Sequence, residues 1–352
     1  ENHKVSWVSF NFWKDKSFTH NEYSIKHIGI LPKPKFYNKN GDRTKSEPVL
    51  YLINCLLAIP YFINTKIWVI GQWPMVHIIP LIILGKILRK KIYVEWWETL
   101  GDQWYKKGIA GKLGNFIEHS TLLTSSFIDF IVDCESEKEL LRHKNSRAKV
   151  QVIPNGVDIN FFAKNKDEIK FDFVSMARLK NHKRVDLLIE ATRKFIDKTN
   201  NQDIRIAIIG DGPEKKKLES LTKQLRLENN ITFFGFVKDY SNAVSILLSS
   251  QIGVLTTVAG GKGSVLINEL FAAELPVLAI GSEDGIDRRY IKDDENGYIT
   301  NNISSDELAD LMVKILLDLK KLDKMKIRLA QNKYKLDWKI QLENHPVLSH
   351  NK

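Results

Sequence analysis

Short apolar runs alternate along the chain with longer stretches whose apolar residues recur at helical spacing. Runs of the first kind are typical of strands buried on both faces, and the second spacing is typical of amphipathic helices. A polar and basic stretch over residues 32–47 is predicted to be a loop. In the first half, the pattern predicts strands over 5–10, 23–31, 67–70, 92–96, 128–133 and 150–154, and helices over 49–63, 78–88, 116–123 and 136–142.

The same alternation restarts after a polar stretch that begins at Asn155-Gly156-Val157-Asp158 and ends near Lys170. A turn sequence followed by polar residues is typical of a domain boundary. Alternating strands and helices predict an α/β fold of two Rossmann-like domains facing a cleft, with parallel sheets and helices on both faces. The second half is predicted to contain strands over 171–176, 204–209, 231–234, 250–255 and 277–280, and helices over 185–195, 215–225, 243–248 and 305–319. The predicted division is a first domain over 1–153, a second over 154–330 and a C-terminal segment over 331–352.

The distribution of charge indicates which partners the chain is expected to bind. The chain has 352 residues, of which 43% are hydrophobic and 27% charged, as in a soluble globular protein. Its net charge of +11 is uneven: residues 1–150 carry 22 Lys or Arg against 14 Asp or Glu, a net +8, and the rest carry 31 against 28. The first half is expected either to face an anionic membrane surface or simply to carry a solvated basic surface. No nucleic acid is expected, because no nucleic-acid-binding motif accompanies the charge.

Cysteine use and hydropathy favour a cytoplasmic protein. Cys55 and Cys134 lie in apolar surroundings and are predicted to be reduced core residues. The apolar tract 48–63 is too short to span a bilayer, and the tract 67–88 is interrupted by polar residues such as Gln72. Neither tract is predicted to be a transmembrane helix.

A glycine-rich turn follows the predicted strand 250–255 and leads into a helix that starts near Val265. Glycines let backbone N–H groups approach a ligand closely, and Ser264 is placed to cap the helix. The start of a helix presents N–H donors and a positive dipole end, which suit a phosphate. The alternative is an ordinary loop before an ordinary helix. The turn consists of Gly260, Gly261, Lys262, Gly263 and Ser264.

Glu269 lies about one and a half turns into this helix. A carboxylate at the ligand-facing edge would suit a neutral diol such as a ribose, whereas the alternative is an ordinary surface Glu. The buried side of the helix is predicted to consist of Val265, Leu266, Leu270 and Phe271.

Two cations follow the first predicted strand of the second domain. Arg178 and Lys183 would lie at the carboxyl end of that strand, where ligands bind in this architecture. A planar guanidinium and an ammonium together suit a diphosphate. A basic surface loop is the competing interpretation. Gly210-Asp211-Gly212-Pro213 and Gly235-Phe236-Val237 follow the next two strands and are predicted to turn at the same edge.

These motifs, in this order, resemble the C-terminal domain of the family 4 glycosyltransferases, which are retaining enzymes of the GT-B fold that use sugar nucleotides. The resemblance extends from about Val150 to the end of the chain. It rests on the motifs above together with Ile153-Pro154-Asn155-Gly156-Val157-Asp158, Ala177-Arg178-Leu179, Asn268-Glu269-Leu270-Phe271-Ala272-Ala273, Leu275-Pro276-Val277 and Asn296-Gly297-Tyr298.

The resemblance implies a role for each matching residue. Arg178 and Lys183 would hold the donor diphosphate, and Glu269 would bind the nucleotide ribose. The segment containing Trp338 would cross back to the first domain. The other expected donor-binding residues are Gly261, Lys262, Gly263, Ser264 and Val265 at the helix start, Gly210 and Gly212, and Phe236 and Val237 beside the base.

Two positions depart from the family pattern. Gly261 stands where the family usually has a Glu that contacts the donor sugar, and Trp97 stands where it usually has a His. Glu98 follows Trp97 and is expected to take over part of that polar role, so both are candidate catalytic residues. A glycine-rich acceptor loop is not evident over residues 11–21.

The sequence therefore predicts a retaining transferase that moves a sugar from a UDP- or GDP-sugar to a hydroxyl of a glycan or lipid-linked acceptor bound by the first domain. No metal is expected, because no Asp-x-Asp motif is present and His77 and His119 are predicted to be core or cleft residues. A catalytically weak or inactive homologue that binds a nucleotide sugar or a partner enzyme is the alternative, favoured by Gly261 and Trp97. An epimerase of the same fold has no support in the motifs.

Overall fold

The computed structural model describes residues 3–10, 17–20, 23–32, 44, 46–101, 104, 108–124, 127–163 and 168–349. The chain forms two compact units, Glu1–Val152 and Ile153–Lys352. The predicted loop over 32–47 and the stretch 11–21 lie largely outside the described residues.

The first unit contains two small sheets. One has the order β1-β3-β2, with β1 parallel and β2 antiparallel to β3, and the other is a parallel sheet in the order β4-β5-β6-β7. Helices connect the successive strands of the four-stranded sheet, as parallel crossovers require. The strands are β1 His3–Val8, β2 Ser17–His20, β3 Tyr23–Ile28, β4 Ile67–Gly71, β5 Lys91–Glu95, β6 Asp129–Val132 and β7 Lys149–Val152, and the helices are α1 Glu47–Phe62, α2 Ile78–Ile87, α3 Gly108–Leu123 and α4 Glu135–Lys144.

The second unit is built on one parallel sheet of six strands in the order β10-β9-β8-β11-β12-β13. This order reverses direction between β8 and β11, and doubly wound sheets bind ligands at such a switch point. The strands are β8 Phe171–Met176, β9 Ile206–Ile209, β10 Ile231–Gly235, β11 Ser250–Leu255, β12 Val277–Ala279 and β13 Gly297–Ile299. The helices are α5 Val185–Thr199, α6 Lys215–Gln224, α7 Tyr240–Leu248, α8 Val265–Ala272, α9 Ser305–Leu317, α10 Leu319–Asn332, α11 Trp338–Glu343 and α12 Pro346–Ser349.

Both faces of the six-stranded sheet are buried. Successive residues of a strand point to opposite faces, and in β8 Phe173 belongs to one apolar cluster while Val174 belongs to the other. Ile208 and Ile209 of β9 divide in the same way. The near-continuous apolar runs in the sequence are explained by this two-sided burial.

The structure corrects the predicted elements of the first unit. Its strands do not form one parallel sheet, because β2 pairs antiparallel with β3. Strand β2 has Phe18 as its single large apolar residue, so it lacked an apolar run. Helix α3 begins at Gly108 instead of residue 116. Gly108, Gly111 and Gly114 lower the helix propensity of its first turns, so the pattern there did not predict a helix.

The described residues contain no helix that is both long and apolar enough to cross a bilayer. Cys55 and Cys134 are buried free thiols, as predicted.

Candidate functional site

The switch point is lined by the loop after β8, residues 177–184, and the loop after β11, residues 256–264. Side-chain and backbone bonds hold the two loops together: the Thr256 hydroxyl donates to the Lys183 carbonyl at 2.6 Å, and the Val258 amide donates to the His182 carbonyl at 3.0 Å. Arg178 is exposed and Lys183 is half-buried. The structure therefore brings both predicted cations to the point in the sheet where the strand order reverses.

Gly210 and Gly212 pack against the loop that carries Arg178. A Cβ on Gly210, whose φ is +132°, would lie 1.9 Å from the Ala177 carbonyl oxygen, and one on Gly212 would lie 2.3 Å from that of Leu179. The Leu179 amide donates to the Asp211 carbonyl at 2.9 Å. These glycines, predicted to bind the donor, are thus placed where they support the Arg178 loop.

The start of α8 is anchored by two asparagines that the sequence analysis did not single out as site residues. The Asn155 amide group donates to the Gly263 carbonyl at 2.9 Å, and the Asn268 amide group donates to the Asn155 carbonyl. Both asparagines lie in motifs that carry the family resemblance, and this was the available signal. The bonds join the turn at the beginning of the second unit to the predicted phosphate-binding turn.

Ser264 is the N-cap residue of α8, as predicted, but two side chains at this helix start differ from the prediction. The Ser264 hydroxyl makes no capping bond, because the Ile267 amide, its natural partner, already donates to the Ser264 backbone carbonyl at 3.2 Å. The Val265 side chain is exposed, and Ile267 is buried in its place. The first-turn amides of α8 consequently have no side-chain cap, which suits an anionic ligand.

The loop after β12 supports the glycine-rich turn from behind. The Ser282 hydroxyl donates to the Val258 carbonyl at 2.7 Å, and the Asp287 amide donates to the Lys262 carbonyl at 3.3 Å. The Lys262 ammonium lies 3.8 Å from a carboxylate oxygen of Asp284.

Gly261 is buried, and a Cβ there would lie 2.9 Å from the Thr257 methyl group. A larger residue would therefore require Thr257 to shift. The nearest backbone atom would lie 3.5 Å from that Cβ, an ordinary contact distance, so the packing does not distinguish glycine from the Glu that the resemblance leads one to expect.

Glu269 is held by a tyrosine that the sequence analysis missed. The Tyr240 hydroxyl donates to a Glu269 carboxylate oxygen at 2.8 Å, and the Tyr240 ring packs edge-on against Phe161 with 5.0 Å between ring centroids. Burial raises the pKa of Glu269, and the bond from Tyr240 opposes that shift. The pKa of Tyr240 is raised too, first by burial and then by the same bond. An aromatic residue just after the Gly235-Phe236-Val237 motif was the available signal.

Phe236 and Val237 lie in the turn between β10 and α7. The Phe236 ring is 75% exposed, whereas Val237 packs against the apolar cluster on one face of the sheet. Trp338 is at the start of α11, where its amide donates to the Val157 carbonyl at 3.1 Å within the second unit.

In the first unit, Trp97 and Glu98 lie in the loop after β5, and buried Gln72 fixes their backbone. The Gln72 side-chain oxygen accepts from the Trp97 and Glu98 amides at 2.9 and 3.0 Å, and its nitrogen donates to the Glu98 carbonyl. The Trp97 side chain is 52% exposed and Glu98 is half-buried. The loop therefore presents Trp97 from a fixed backbone.

Buried Glu118 of α3 fixes the next part of the same loop. Its carboxylate accepts from the Leu100 amide, the Gly101 amide and the Trp104 indole, at 3.0, 3.0 and 2.9 Å. Thr99 accepts from the Trp96 indole at 2.9 Å and donates to buried Glu137. No local sequence pattern marked these residues, since their partners lie far along the chain.

The two histidines that were predicted to be core or cleft residues differ in their exposure to solvent. His77 is buried, as predicted, and desolvation lowers its pKa to about 4, so its ring is neutral near pH 7. His119 is exposed, contrary to the prediction, because it lies on the outward side of α3. Among the described residues, no three His, Cys, Asp or Glu side chains gather as metal ligands would.

A parallel sheet whose strand order reverses, with two cations and an uncapped helix start at the reversal, is the arrangement of a doubly wound Rossmann domain. The chain belongs to the family described as glycosyl transferases group 1, whose family model matches residues 157–334.

Solved structures share the fold over most of the chain. HepE from Anabaena, crystallised with UDP, matches with a TM-score of 0.71 at 18% identity, over 92% of this chain and 86% of that one. TarM from Staphylococcus aureus matches with a TM-score of 0.64 at 19% identity, over 85% of this chain and 58% of that one. These likenesses show the α/β fold of GT-B glycosyltransferases.

The curated relatives match this chain over only part of their own length. An uncharacterized glycosyltransferase of Methanocaldococcus jannaschii is 25% identical over 225 residues, which are 60% of this chain and 54% of the relative. The alpha-monoglucosyldiacylglycerol synthase of Acholeplasma laidlawii is 26% identical over 229 residues, 59% of this chain and 53% of the relative. The chain thus spans about half the length of these relatives.

Proposed function

We propose that the protein is a retaining glycosyltransferase of the family 4 type, which moves a sugar from a nucleoside-diphosphate donor to a hydroxyl group of an acceptor. The observation that carries the proposal is the meeting of Arg178, Lys183 and the uncapped start of α8 at one switch point, on loops bonded to each other. Fixed positive groups of this kind stabilise the charge that develops on a departing diphosphate.

In the proposed reaction, the bond between the sugar C1 and the donor phosphate oxygen breaks while the acceptor oxygen bonds to C1 on the same face. The departing phosphate oxygen takes the acceptor proton, so no protein nucleophile is needed. Arg178 and Lys183 hold the diphosphate, and the N–H group of Val265 in the first turn of α8 points at its oxygens, while the Ser264 amide donates to the Gly261 carbonyl at 3.2 Å. Glu269 accepts hydrogen bonds from the ribose hydroxyls, oriented by Tyr240.

A UDP-sugar is the proposed donor. The fold neighbour HepE was crystallised with UDP and with UDP-glucose, and TarM with UDP, which supports uridine over guanosine. The exposed Phe236 ring and Val237 are proposed to lie beside the base. No resident metal is proposed, since the positive groups at the switch point supply the charge that a metal would otherwise provide.

Trp97 and Glu98 are proposed to act on the acceptor. An exposed indole on a fixed loop suits stacking against a sugar ring, and the Glu98 carboxylate suits a hydrogen bond from an acceptor hydroxyl. A glycan or a lipid-linked glycan is the proposed acceptor. The names of the A. laidlawii alpha-monoglucosyldiacylglycerol synthase and the S. aureus poly(ribitol-phosphate) alpha-N-acetylglucosaminyltransferase support a lipid or polymer acceptor.

The protein is proposed to be cytoplasmic and to contact a membrane peripherally. The net +8 of residues 1–150 supports the membrane contact, and the buried free thiols of Cys55 and Cys134 support a reducing compartment.

The test is binding and hydrolysis of UDP-, GDP- and ADP-sugars by the intact chain, Arg178→Ala and Arg193→Ala. Arg193 pairs with Asp197 on the exposed side of α5 and serves as the matched arginine control. We expect Arg178→Ala to weaken donor binding about 10- to 100-fold, as for a lost charge-assisted contact, and Arg193→Ala to leave it unchanged.

Slow hydrolysis of one donor that Arg178→Ala abolishes would support the transferase. Tight binding without hydrolysis, and without transfer to any glycan or lipid acceptor supplied, would favour the second candidate, an inactive nucleotide-sugar-binding homologue. Buried Gly261 in place of the family's Glu is the observation that favours that candidate. Equal donor binding by the intact chain and Arg178→Ala would refute the donor site.

A further inference from the structure

Helix α3 is apolar on the side that it turns to solvent as well as on the side that it buries. Gly114, Ile117 and Leu122 face the core of the first unit. On the opposite side, Ile109 is 87% exposed and Leu113, Phe116 and Leu123 are also exposed. Their spacing of four, three and seven residues places them on one stripe of the helix. An amphipathic surface helix would carry polar residues there, so packing against the described part of the chain does not explain the stripe.

Helix α2 packs beside α3 and extends this apolar surface. Ile87 is 71% exposed, and Ile83 is exposed one turn before it. The ammonium of Lys86 lies 3.3 Å from the ring centroid of exposed Phe127, which joins the end of α2 to the segment after α3. We call this surface the α2–α3 face; it consists of Ile83, Ile87, Ile109, Leu113, Phe116, Leu123 and Phe127. Contiguous exposed apolar surface of this kind marks an interaction site.

The charges on the α2–α3 face have one sign. Lys86 and Lys112 are exposed within it, and Arg89 is exposed at the end of α2. Among the residues of α2 and α3, the single carboxylate is Glu118, which is buried and bonded to the loop after β5. The apolar stripe is therefore flanked by cations that no carboxylate of either helix neutralises.

From this combination we infer that the α2–α3 face docks on an anionic lipid bilayer. Apolar side chains would enter the boundary of the acyl region while Lys86 and Lys112 meet anionic headgroups, as in interfacial helices. A second copy of the chain fits less well, because a two-fold interface would bring each basic patch against its own equivalent. Helix α1 also exposes apolar residues, Val49 and Tyr61 among them, but its 16 residues contain no Lys or Arg.

This inference deepens the proposed function, since it names the surface through which an enzyme acting on a lipid-linked acceptor would reach it. It does not require the donor site to be correct, because the residues proposed to bind the donor all lie in the second unit. Vesicle binding and donor binding can thus fail separately.

The experiment is co-sedimentation of the full chain with phosphatidylcholine vesicles, with and without phosphatidylglycerol. The test variant is Ile109→Ser with Leu113→Ser and Phe116→Ser. The matched control replaces three exposed apolar residues of the second unit, Leu317, Leu319 and Ile327, by Ser. We expect the intact chain and the control to bind anionic vesicles and the test variant to bind at least about tenfold more weakly.

A charge-reversed variant, Lys86→Glu with Lys112→Glu, checks the electrostatic part without removing apolar side chains. We expect it to lose the preference for phosphatidylglycerol, and we expect all three variants to keep the circular dichroism and the UDP affinity of the intact chain. Binding that is equal in the intact chain and the apolar test variant would overturn the inference, as would no binding to anionic vesicles. A dimer in solution that only the apolar test variant abolishes would assign the face to a second copy instead.

Discussion

Two opposing influences act on the carboxyl group of Glu269. Burial raises its pKa, while the hydrogen bond donated by Tyr240 stabilises the carboxylate and lowers it, and burial is the larger effect. A ribose hydroxyl needs the ionised form as its acceptor, so the protonation of Glu269 sets the acid limit of donor binding in the proposed site.

We therefore expect the affinity for a UDP-sugar to fall on acidification at a pH above the ordinary Glu value of about 4.3. The direction of this pH dependence follows from the raised pKa of Glu269, because Glu269 binds its proton while other carboxyl groups are still ionised. A sugar nucleotide is the right probe, since its phosphates are diesters and lack the second ionisation that UDP has near pH 6. Calorimetric dissociation constants measured from about pH 8 to about pH 5 would show the fall.

Two variants of this pair separate the causes. Tyr240→Phe removes the bond that lowers the pKa of Glu269, so the fall in affinity should move to higher pH. Glu269→Gln should bind the donor about tenfold more weakly near pH 7 and show no such fall. A pH profile of the intact chain that is identical to that of Glu269→Gln would remove Glu269 from the site.

At the scale of single residues, the sequence revealed side chains that stand next to turn glycines and strand ends. Arg178, Lys183 and Glu269 are of this kind, because their position after an apolar run is visible in one dimension. Tyr240 and Gln72 were missed, because what distinguishes them is a partner far along the chain. A buried glutamine that accepts from two distant amides has no local pattern.

At the scale of elements, the loops at the carboxyl ends of β8 and β9 are stacked so closely that glycine is required between them. Gly210 combines a φ of +132° with a gap of 1.9 Å between its ideal Cβ position and the Ala177 carbonyl oxygen. Any side chain there must push back the loop that carries Arg178.

We expect Gly210→Ala to lower the stability of the second unit by about 3 kcal/mol, from backbone strain and overpacking together, and to weaken UDP binding. Gly71→Ala is the control, because Gly71 ends β4 with an ordinary φ and no atom within 4 Å of its ideal Cβ. Thermal unfolding and UDP titration of both variants would test this. Native stability and native UDP affinity in Gly210→Ala would show that the loops are not coupled.

The strands that are buried on both sides were predicted well, and so were α1 and α2, although both expose apolar side chains; the first turns of α3 were not predicted. The strands of the six-stranded sheet appear as continuous apolar runs because each residue faces one of two cores. The start of α3 was missed because Gly108, Gly111 and Gly114 lower the helix propensity of its first turns. Ile109 and Leu113 lie in the same turns, and their exposure is what suggests a bilayer contact.

At the scale of the whole molecule, the apolar clusters follow the division of the chain. One cluster lies within Glu1–Val152, built around β4 to β7, and two lie within Ile153–Lys352 on either face of its sheet. A unit with its own core satisfies the main physical requirement for folding by itself. The alternating pattern and the turn at Asn155, which are local features of the sequence, predicted a boundary after residue 153 and a separate C-terminal segment from residue 331.

All residues proposed to bind the donor diphosphate and ribose belong to Ile153–Lys352, including the asparagines that anchor the start of α8. We therefore expect residues 153–352, produced alone, to unfold cooperatively and to bind UDP within about threefold of the intact chain. Sugar transfer should be absent, because Trp97 and Glu98 are missing. Arg178→Ala in the isolated unit should weaken UDP binding by the same factor as in the intact chain, since the loop that holds it is complete. A folded isolated unit that fails to bind UDP, while the intact chain binds it, would show that the first unit contributes to the donor site itself.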